Sequence, residues 1–206
     1  MNKKKVFIGT VSALRDNKYI EDMIKSLRKQ KYIDTYISVV YNGVEAKGYG
    51  EDLNFVLCKN MGVPTAWNLL INSYLSMRDE EKFDAFIIAN DDIIVPDTTV
   101  YSMLKVLEKD GKSIIAPDIT TDIDYFRKNE INNISKIYYY SNIHIHFGFT
   151  LISDYAIDKI GSFDCLKNFC GGEDSDYKER CMSYTLGTND YINFVTIKNI
   201  IIHHYL

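Results

Sequence analysis

The chain has 206 residues and a formal charge of −4. That length suits one domain, or two small ones, with enough residues to bury a substantial core. The acidic balance excludes the basic footprint of a nucleic-acid binder. No window approaches the roughly 18 uninterrupted apolar residues of a membrane-spanning helix.

The chain reads straight into a strand, "KVFIGTV". No secretory leader is recognised there, so a cytoplasmic place is expected, at most peripheral to a membrane. "YIEDMIKSLRKQ" follows, with Ile20, Met23, Ile24 and Leu27 at helical spacing and Asp16 or Asn17 as its N-cap. "TYISVVYNG" is a second strand, ended by the turn signal Asn42-Gly43. "LNFVLCKN" is a third. "GVPTAWNLLINSYLSM" is a helix with Pro64 near its first turn, where a missing N–H costs little. Trp67, Leu70, Ile71 and Tyr74 form its expected buried face.

"FDAFIIAN" is a fourth strand, apolar without alternation, as expected of a strand covered on both faces. "TTVYSMLKVLEKDG" predicts a helix ending before Gly111, and "KSIIAPD" a fifth strand. Strands alternating with helices predict a mostly parallel α/β sheet. From Ile119 to Asn142 the text is polar and tyrosine-rich. It reads as a long connection with a short strand at "KIYYYS". "IHIHFGFTLIS" reads as a strand, "DYAIDKIGSFD" as a short helix and turn, "GEDSDYKERCMSYTL" as a helix and "NFVTIKNIIIHHYL" as terminal strand. No repeat, linker or low-complexity tract interrupts the chain, which predicts a single domain over 1–206.

Cys58, Cys165, Cys170 and Cys181 show no CxxC pair and no zinc spacing, so reduced thiols are expected. The sequon Asn133-Ile134-Ser135 is read as chance.

Two places carry chemistry. Asn90-Asp91-Asp92 ends the fourth strand and is followed at once by a second apolar run, Ile93-Ile94-Val95. Ligands of open α/β sheets sit outside the carboxyl ends of the strands. Aspartates are also common in ordinary turns, but a solvent turn is rarely enclosed by two segments that both seek burial. A divalent cation would relieve the repulsion of the paired carboxylates, and oxygen ligands suit Mg²⁺ or Mn²⁺. "GGEDSDYKER" then places Glu173, Asp174 and Asp176 at a helix start behind two glycines. Acidic residues are favoured there electrostatically. Gly171-Gly172 suggests in addition that something approaches the backbone closely, and a carboxylate here suits a general base.

Taken in order, these segments resemble the GT-A glycosyltransferases, close to the family-2 group. The resemblance is carried by "VFIGTVSALRDNKYIEDMIKSL", "ISVVYNGV", "NMGVPTAWN", "ANDDIIVPD", "SIIAPDI", "GFTLISDYAIDKIGSFD" and "GGEDSDYKER". It implies a Rossmann-like, mostly parallel sheet flanked by helices. Residues 1–118 would be the nucleotide-sugar half, and 119–206 the smaller acceptor-binding and catalytic half. It implies metal-dependent transfer of a sugar from a UDP-, dTDP- or GDP-sugar, with inversion. The acceptor would be a saccharide, lipid-linked glycan or glycoprotein.

The family's roles carry over by position. Thr10, Val11 and Asn42 match the base and ribose cradle, and Asn60, Gly62 and Asn68 the segment over the nucleotide. Asn90 and Asp92 match the first and last DXD positions. That makes Asp92 the expected ligand of Mn²⁺ or Mg²⁺ and leaves Asp91 for the ribose or donor sugar. A late-strand histidine often completes the metal site. His203 or His204 would serve, and consecutive strand residues face opposite ways, so one of them is expected, His203 first. Asp174 is the expected base, with Glu173 the alternative and Asp176 shaping the site. Gly148, Gly171 and Gly172 would give the sugars room, while His144 and His146 are read as acceptor-side or structural. Tyr41 replaces the aspartate many relatives set against uracil, and Trp67 replaces a common arginine, so the donor base stays open.

Two rival readings use the same residues. A nucleotidyltransferase needs a glycine-rich basic loop after the first strand, where "GTVSALRDNKY" offers only Gly9, Arg15 and Lys18. A non-catalytic sugar- or partner-binding module would keep the acidic residues for structure.

Overall fold

The structure, a computed structural model, describes residues 3–13, 17–129, 137–141, 145–166, 172–188 and 190–205. Asp16, the sequon, His144, Cys170 and Gly171 lie outside the described residues. The described residues build one nine-stranded sheet with helices on both faces.

The first half winds as its apolar runs demand. Strands β1 (Lys4–Ser12), β2 (Ile33–Asn42), β3 (Leu53–Leu57) and β4 (Ala85–Asn90) pair in the parallel order β3-β2-β1-β4. Phe86, Ile87 and Ile88 of β4 are fully buried, which accounts for their lack of alternation. Helix α1 (Asn17–Arg28) covers one face with Ile20, Met23, Ile24 and Leu27. Asn17, expected as a cap, is its first helical residue. Helix α2 (Val63–Glu81) covers the other face with Leu70, Ile71 and Tyr74.

The second half departs from a simple winding. Strand β8 (Phe149–Ile152) inserts between β4 and β6 (Ile114–Thr120) and runs antiparallel to both. The last strand, β9 (Phe194–His204), lies parallel to β6. A two-residue strand, β5 (Ile93–Ile94), pairs antiparallel with its end, and β7 (Tyr139–Ser141) pairs antiparallel with its start. Six strands therefore run one way, and β5, β7 and β8 run the other. That agrees with a mostly parallel sheet and a GT-A-like fold.

Three expectations need correction. The 119–142 stretch is no bare connection: its first residues finish β6, Ile123–Asn129 form helix α4, and Phe126 is buried. The strand over "IHIHFGFTLIS" is shortened to Phe149–Ile152, with residues 145–148 leading into it. The Ile93–Ile94 pairing was not expected, because two residues carry no period. Helices α3 (Thr99–Leu107), α5 (Asp154–Ile160) and α6 (Glu173–Gly187) fall where expected. Ser153 caps α5, its Oγ accepting from the Ala156 N–H at 3.2 Å.

Candidate active site

β4, β6 and β9 all run toward one edge of the sheet, and β8 starts there. Asn90 ends β4, and its N–H donates to the Gly148 carbonyl at 2.7 Å, just before β8. Ile93 pairs with His204 at the end of β9. A cleft of about 680 Å³ opens on this edge, where an α/β sheet places its ligands. One wall carries Asn90, Gly148, Asp118, Thr196 and His204, and another carries Gly172, Glu173 and Asp174 from the start of α6. Val63, Trp67, Ile145, Phe147 and Ile119 supply the apolar lining.

The Asp92 carboxylate and the His204 Nε2 stand 3.0 Å apart, and Asn90 Nδ2 lies 3.4 Å from the same nitrogen. A hydrogen bond donated to the Asp92 carboxylate raises the His204 pKa above its ordinary value, against the effect of burial. The Tyr205 N–H donates to the Asp92 carbonyl at 2.8 Å, tying the two segments together. His204, not the expected His203, faces the acidic pair. His203 is buried between the rings of Phe126 (5.8 Å) and Tyr205 (4.8 Å), and burial lowers its pKa. The reason is a bulge in β9. Pro117 pairs with Ile197 but Asp118 with Ile201, so three extra residues, Lys198 to Ile200, enter β9. An odd insertion reverses which residues share a face. Val195 and Ile197 touch the core before the bulge, and Ile200 and Ile202 do so after it. His204 continues the second set.

Asp91 is held by Ser12, whose Oγ donates to its Oδ2 at 2.7 Å. Ser12 ends β1, beyond the strand end read from the sequence. Thr10, expected at a nucleotide, is instead fully buried within the sheet, and Val11 pairs with Asn90 without lining the cleft. β1 continues past Thr10 and Val11 to Ser12.

Asn42, Asn60 and Gly62 are bonded chiefly to one another. Asn42 Nδ2 donates to Asn60 Oδ1 at 3.0 Å and to the Gly62 carbonyl at 3.3 Å. Its Oδ1 accepts from Met61 N–H at 2.8 Å, and Asn60 Oδ1 accepts from Gly62 N–H at 2.9 Å. This network clamps the β3–α2 loop to the end of β2. Gly43 permits the approach, since a Cβ there would meet the Asn60 nitrogen at 2.4 Å. Its φ of +81° also disfavours any other residue. Gly43→Ala is expected to cost about 1–3 kcal/mol. Thermal melts should show roughly 3–10 °C of destabilisation, and an unchanged melt would refute this clamp. Asn68 is likewise spent on structure: its amide donates to the Phe163 carbonyl at 2.9 Å and accepts from Phe163 N–H at 2.7 Å.

On the opposite wall, Gly172 takes φ +86° at the start of α6. Asp174 accepts from Ser175 N–H at 2.8 Å and from the Lys178 ammonium at 3.3 Å. Glu173 also lines the cleft, with Oε2 buried and unpartnered among the described residues. Asp176 is turned to Arg180 at 3.0 Å. His146 lines the cleft. Trp67 packs on Phe163 at 4.9 Å, and Tyr41 is buried with its hydroxyl donating to Glu51 at 2.9 Å.

Sequence reasoning missed Asp118. It lies in the second half of β6, inside the cleft, and burial pushes its carboxyl pKa up. The signal was present: "SIIAPD" ends in a carboxylate where Asn90-Asp91-Asp92 ends its own strand.

Two protein donors, Asp92 and His204, could hold a cation here. Among the described residues no group of three or more His, Cys, Asp and Glu side chains could do so. No described helix is long and apolar enough to cross a membrane. No protein-family model and no curated protein matches the sequence. Among solved structures, the chain is similar to GalNAc-T7 with UDP, GalNAc and Mn²⁺, at a TM-score of 0.69 and 12% identity. That likeness covers 100% of this chain and 44% of the other, so this chain spans less than half its length. At that identity the similarity establishes architecture alone, and the architecture is GT-A-like.

Proposed function

We propose that this protein is a metal-dependent glycosyltransferase. It moves a sugar from a nucleoside-diphosphate donor to an acceptor hydroxyl, with inversion at the anomeric carbon. One observation carries the reading. A single cleft at the strand ends is lined by Asn90 and by His204, the partner of Asp92, on one side and by Glu173 and Asp174 on the other. Its similarity to a fold solved with UDP, GalNAc and Mn²⁺ supports the same reaction class.

The donor set fits Mn²⁺ or Mg²⁺. Such ions are held by one or two protein groups and completed by substrate phosphates and water, and Asp92 and His204 are an oxygen and a nitrogen donor at close range. When bound, the cation would supply Lewis-acid neutralisation of the departing diphosphate. The chain's own residues do the rest. Asn90, 3.4 Å from His204, orients that imidazole. Asp91, fixed by Ser12, is available to the ribose or donor sugar. Asp174 takes the acceptor proton as the new C–O bond forms. The anomeric C–O bond breaks on the opposite face, and its electron pair leaves with the diphosphate. Gly148 and Gly172 keep side chains out of the sugars' space. The acceptor class is a saccharide, lipid-linked glycan or glycoprotein.

A thermal-shift panel of UDP-, dTDP- and GDP-sugars, with and without Mn²⁺, tests the reading. A true donor at a hundred times its Kd should add about 2.7 kcal/mol, or roughly 5–10 °C for a chain of this size. The gain should need the cation. No shift with any donor would sink the proposal, and cation-dependent binding without turnover would reduce the protein to a binding module.

A further inference from the structure

We propose that Asp118 is the sugar-reading carboxylate of the cleft. Its two oxygens accept hydrogen bonds from neighbouring hydroxyls of a saccharide ring that lies against Ile119, Phe147 and Trp67. The assignment deepens the glycosyltransferase reading and rests on it for why a sugar should be there.

Three observations place Asp118 in that role. It lines the cleft, yet no hydrogen bond or ion pair joins its carboxylate to any described residue. Of the other charged groups lining the cleft, His204 is engaged with Asp92 and Asp174 with Lys178, while Glu173 keeps one oxygen unpartnered at the start of α6. A half-buried carboxylate without a partner is costly to keep, and burial raises its pKa accordingly. Lys198, the nearby cation that opposes this rise, sits 5.0 Å from the Tyr140 ring centroid and makes no ion pair with Asp118.

The backbone also singles out the position. The three extra residues of β9 lie opposite the Pro117–Asp118 peptide, and bulges recur beside active sites, where they bend a strand. Finally, the lining has the character of a sugar site. Ligand pockets are mainly apolar with a few placed polar groups, and here Asp118 adjoins Ile119 in a cleft that Phe147 and Trp67 also line. An ionised carboxylate only accepts, at two oxygens with about four lone-pair positions, which matches a pair of ring hydroxyls.

Saturation-transfer NMR tests this with two sets of probes. One is free glucose, galactose, mannose, N-acetylglucosamine and glucuronate. The other is the UDP-sugars of the same series with Mn²⁺. Wild type, Asp118→Asn and Asp118→Glu are compared, with circular dichroism confirming the fold. Asn has the same shape and removes a desolvated charge, so the variant should fold at least as well as wild type. Asp118→Asn should weaken sugar binding about ten- to hundredfold.

Loss on the free sugars marks an acceptor subsite. Loss confined to the sugar of a nucleotide sugar, with the base signal kept, marks the donor ring. Unchanged sugar signals in Asp118→Asn overturn the proposal, as does a wild-type protein that saturates no sugar of either kind. If UDP, dTDP and GDP all fail to bind while Asp118→Asn still loses the free sugar, glycosyl transfer falls and the Asp118 contact stands.

Discussion

Asp174→Asn is expected to slow sugar transfer about 10²–10⁴-fold, the usual share of a general base. Donor binding should survive. The carboxylate lies in the cleft on the first turn of α6, across from the Asp92–His204 pair. Two donors, Ser175 N–H and the Lys178 ammonium, fix its orientation. Lys178 itself is anchored on the Ile145 carbonyl at 3.2 Å. An amide keeps the shape and one of those two accepted bonds but takes no proton, so the loss should fall on kcat and leave nucleotide affinity intact. Glu173→Gln is the companion variant. Glu173 shares the cleft and has a buried, unpartnered oxygen, so it is the neighbour most able to replace Asp174. A smaller loss is expected there. Near-wild-type turnover in a folded Asp174→Asn protein would end the assignment, and a larger loss in Glu173→Gln would transfer the role.

Much of the scaffold was legible because burial on both faces leaves a plain trace. β1, β2 and β4 read as apolar runs, and α1 showed its buried stripe. The acidic pair at the end of β4 and the carboxylates opening α6 were legible as chemistry for the same reason: charge beside segments that seek burial. Long-range pairing was not legible. Nothing local in "FTLI" says that it lies antiparallel between β4 and β6, and nothing in Ile93-Ile94 says that it meets His203 and His204. The choice between the two histidines depended on the β9 bulge, which is set by pairing with β6 and leaves no mark in the alternation of "NFVTIKNIIIHH". Asn42, Asn60 and Asn68 matched a motif, and that motif could not tell that their amides also bond to the chain itself, because those partners come from other segments. Asp118 was passed over because "KSIIAPD" was read as the whole strand, whereas pairing with β9 carries β6 on to Thr120.

Asp92→Asn is expected to weaken cation-dependent nucleotide binding by at least about 100-fold, the upper end of what losing a ligand's supporting partner costs. The pair should also produce two opposite pH dependences. Without a cation, the His204 pKa is raised above its ordinary value of about 6.5 by Asp92. A raised pKa means that the pair's stabilisation is complete below about pH 6.5 and is lost as pH climbs through the folded-state value. The pair is partly exposed, so this is worth no more than about 1 kcal/mol. Melts of the cation-free protein should therefore decline gently above neutrality, and Asp92→Asn should flatten that decline. Cation binding runs the other way, because a metal needs the neutral imidazole. Affinity for Mn²⁺ with a nucleoside diphosphate should rise with pH over the same window, releasing up to one proton, measurable by calorimetry in two buffers of different ionisation enthalpy. The histidine neighbours provide the control. His204→Asn should behave like Asp92→Asn, whereas His203→Asn, whose ring is buried against Phe126 and Tyr205, should lower the melting temperature and leave cation affinity unchanged. A cation affinity that is independent of pH, or lost in His203→Asn but kept in His204→Asn, would remove His204 from the metal site.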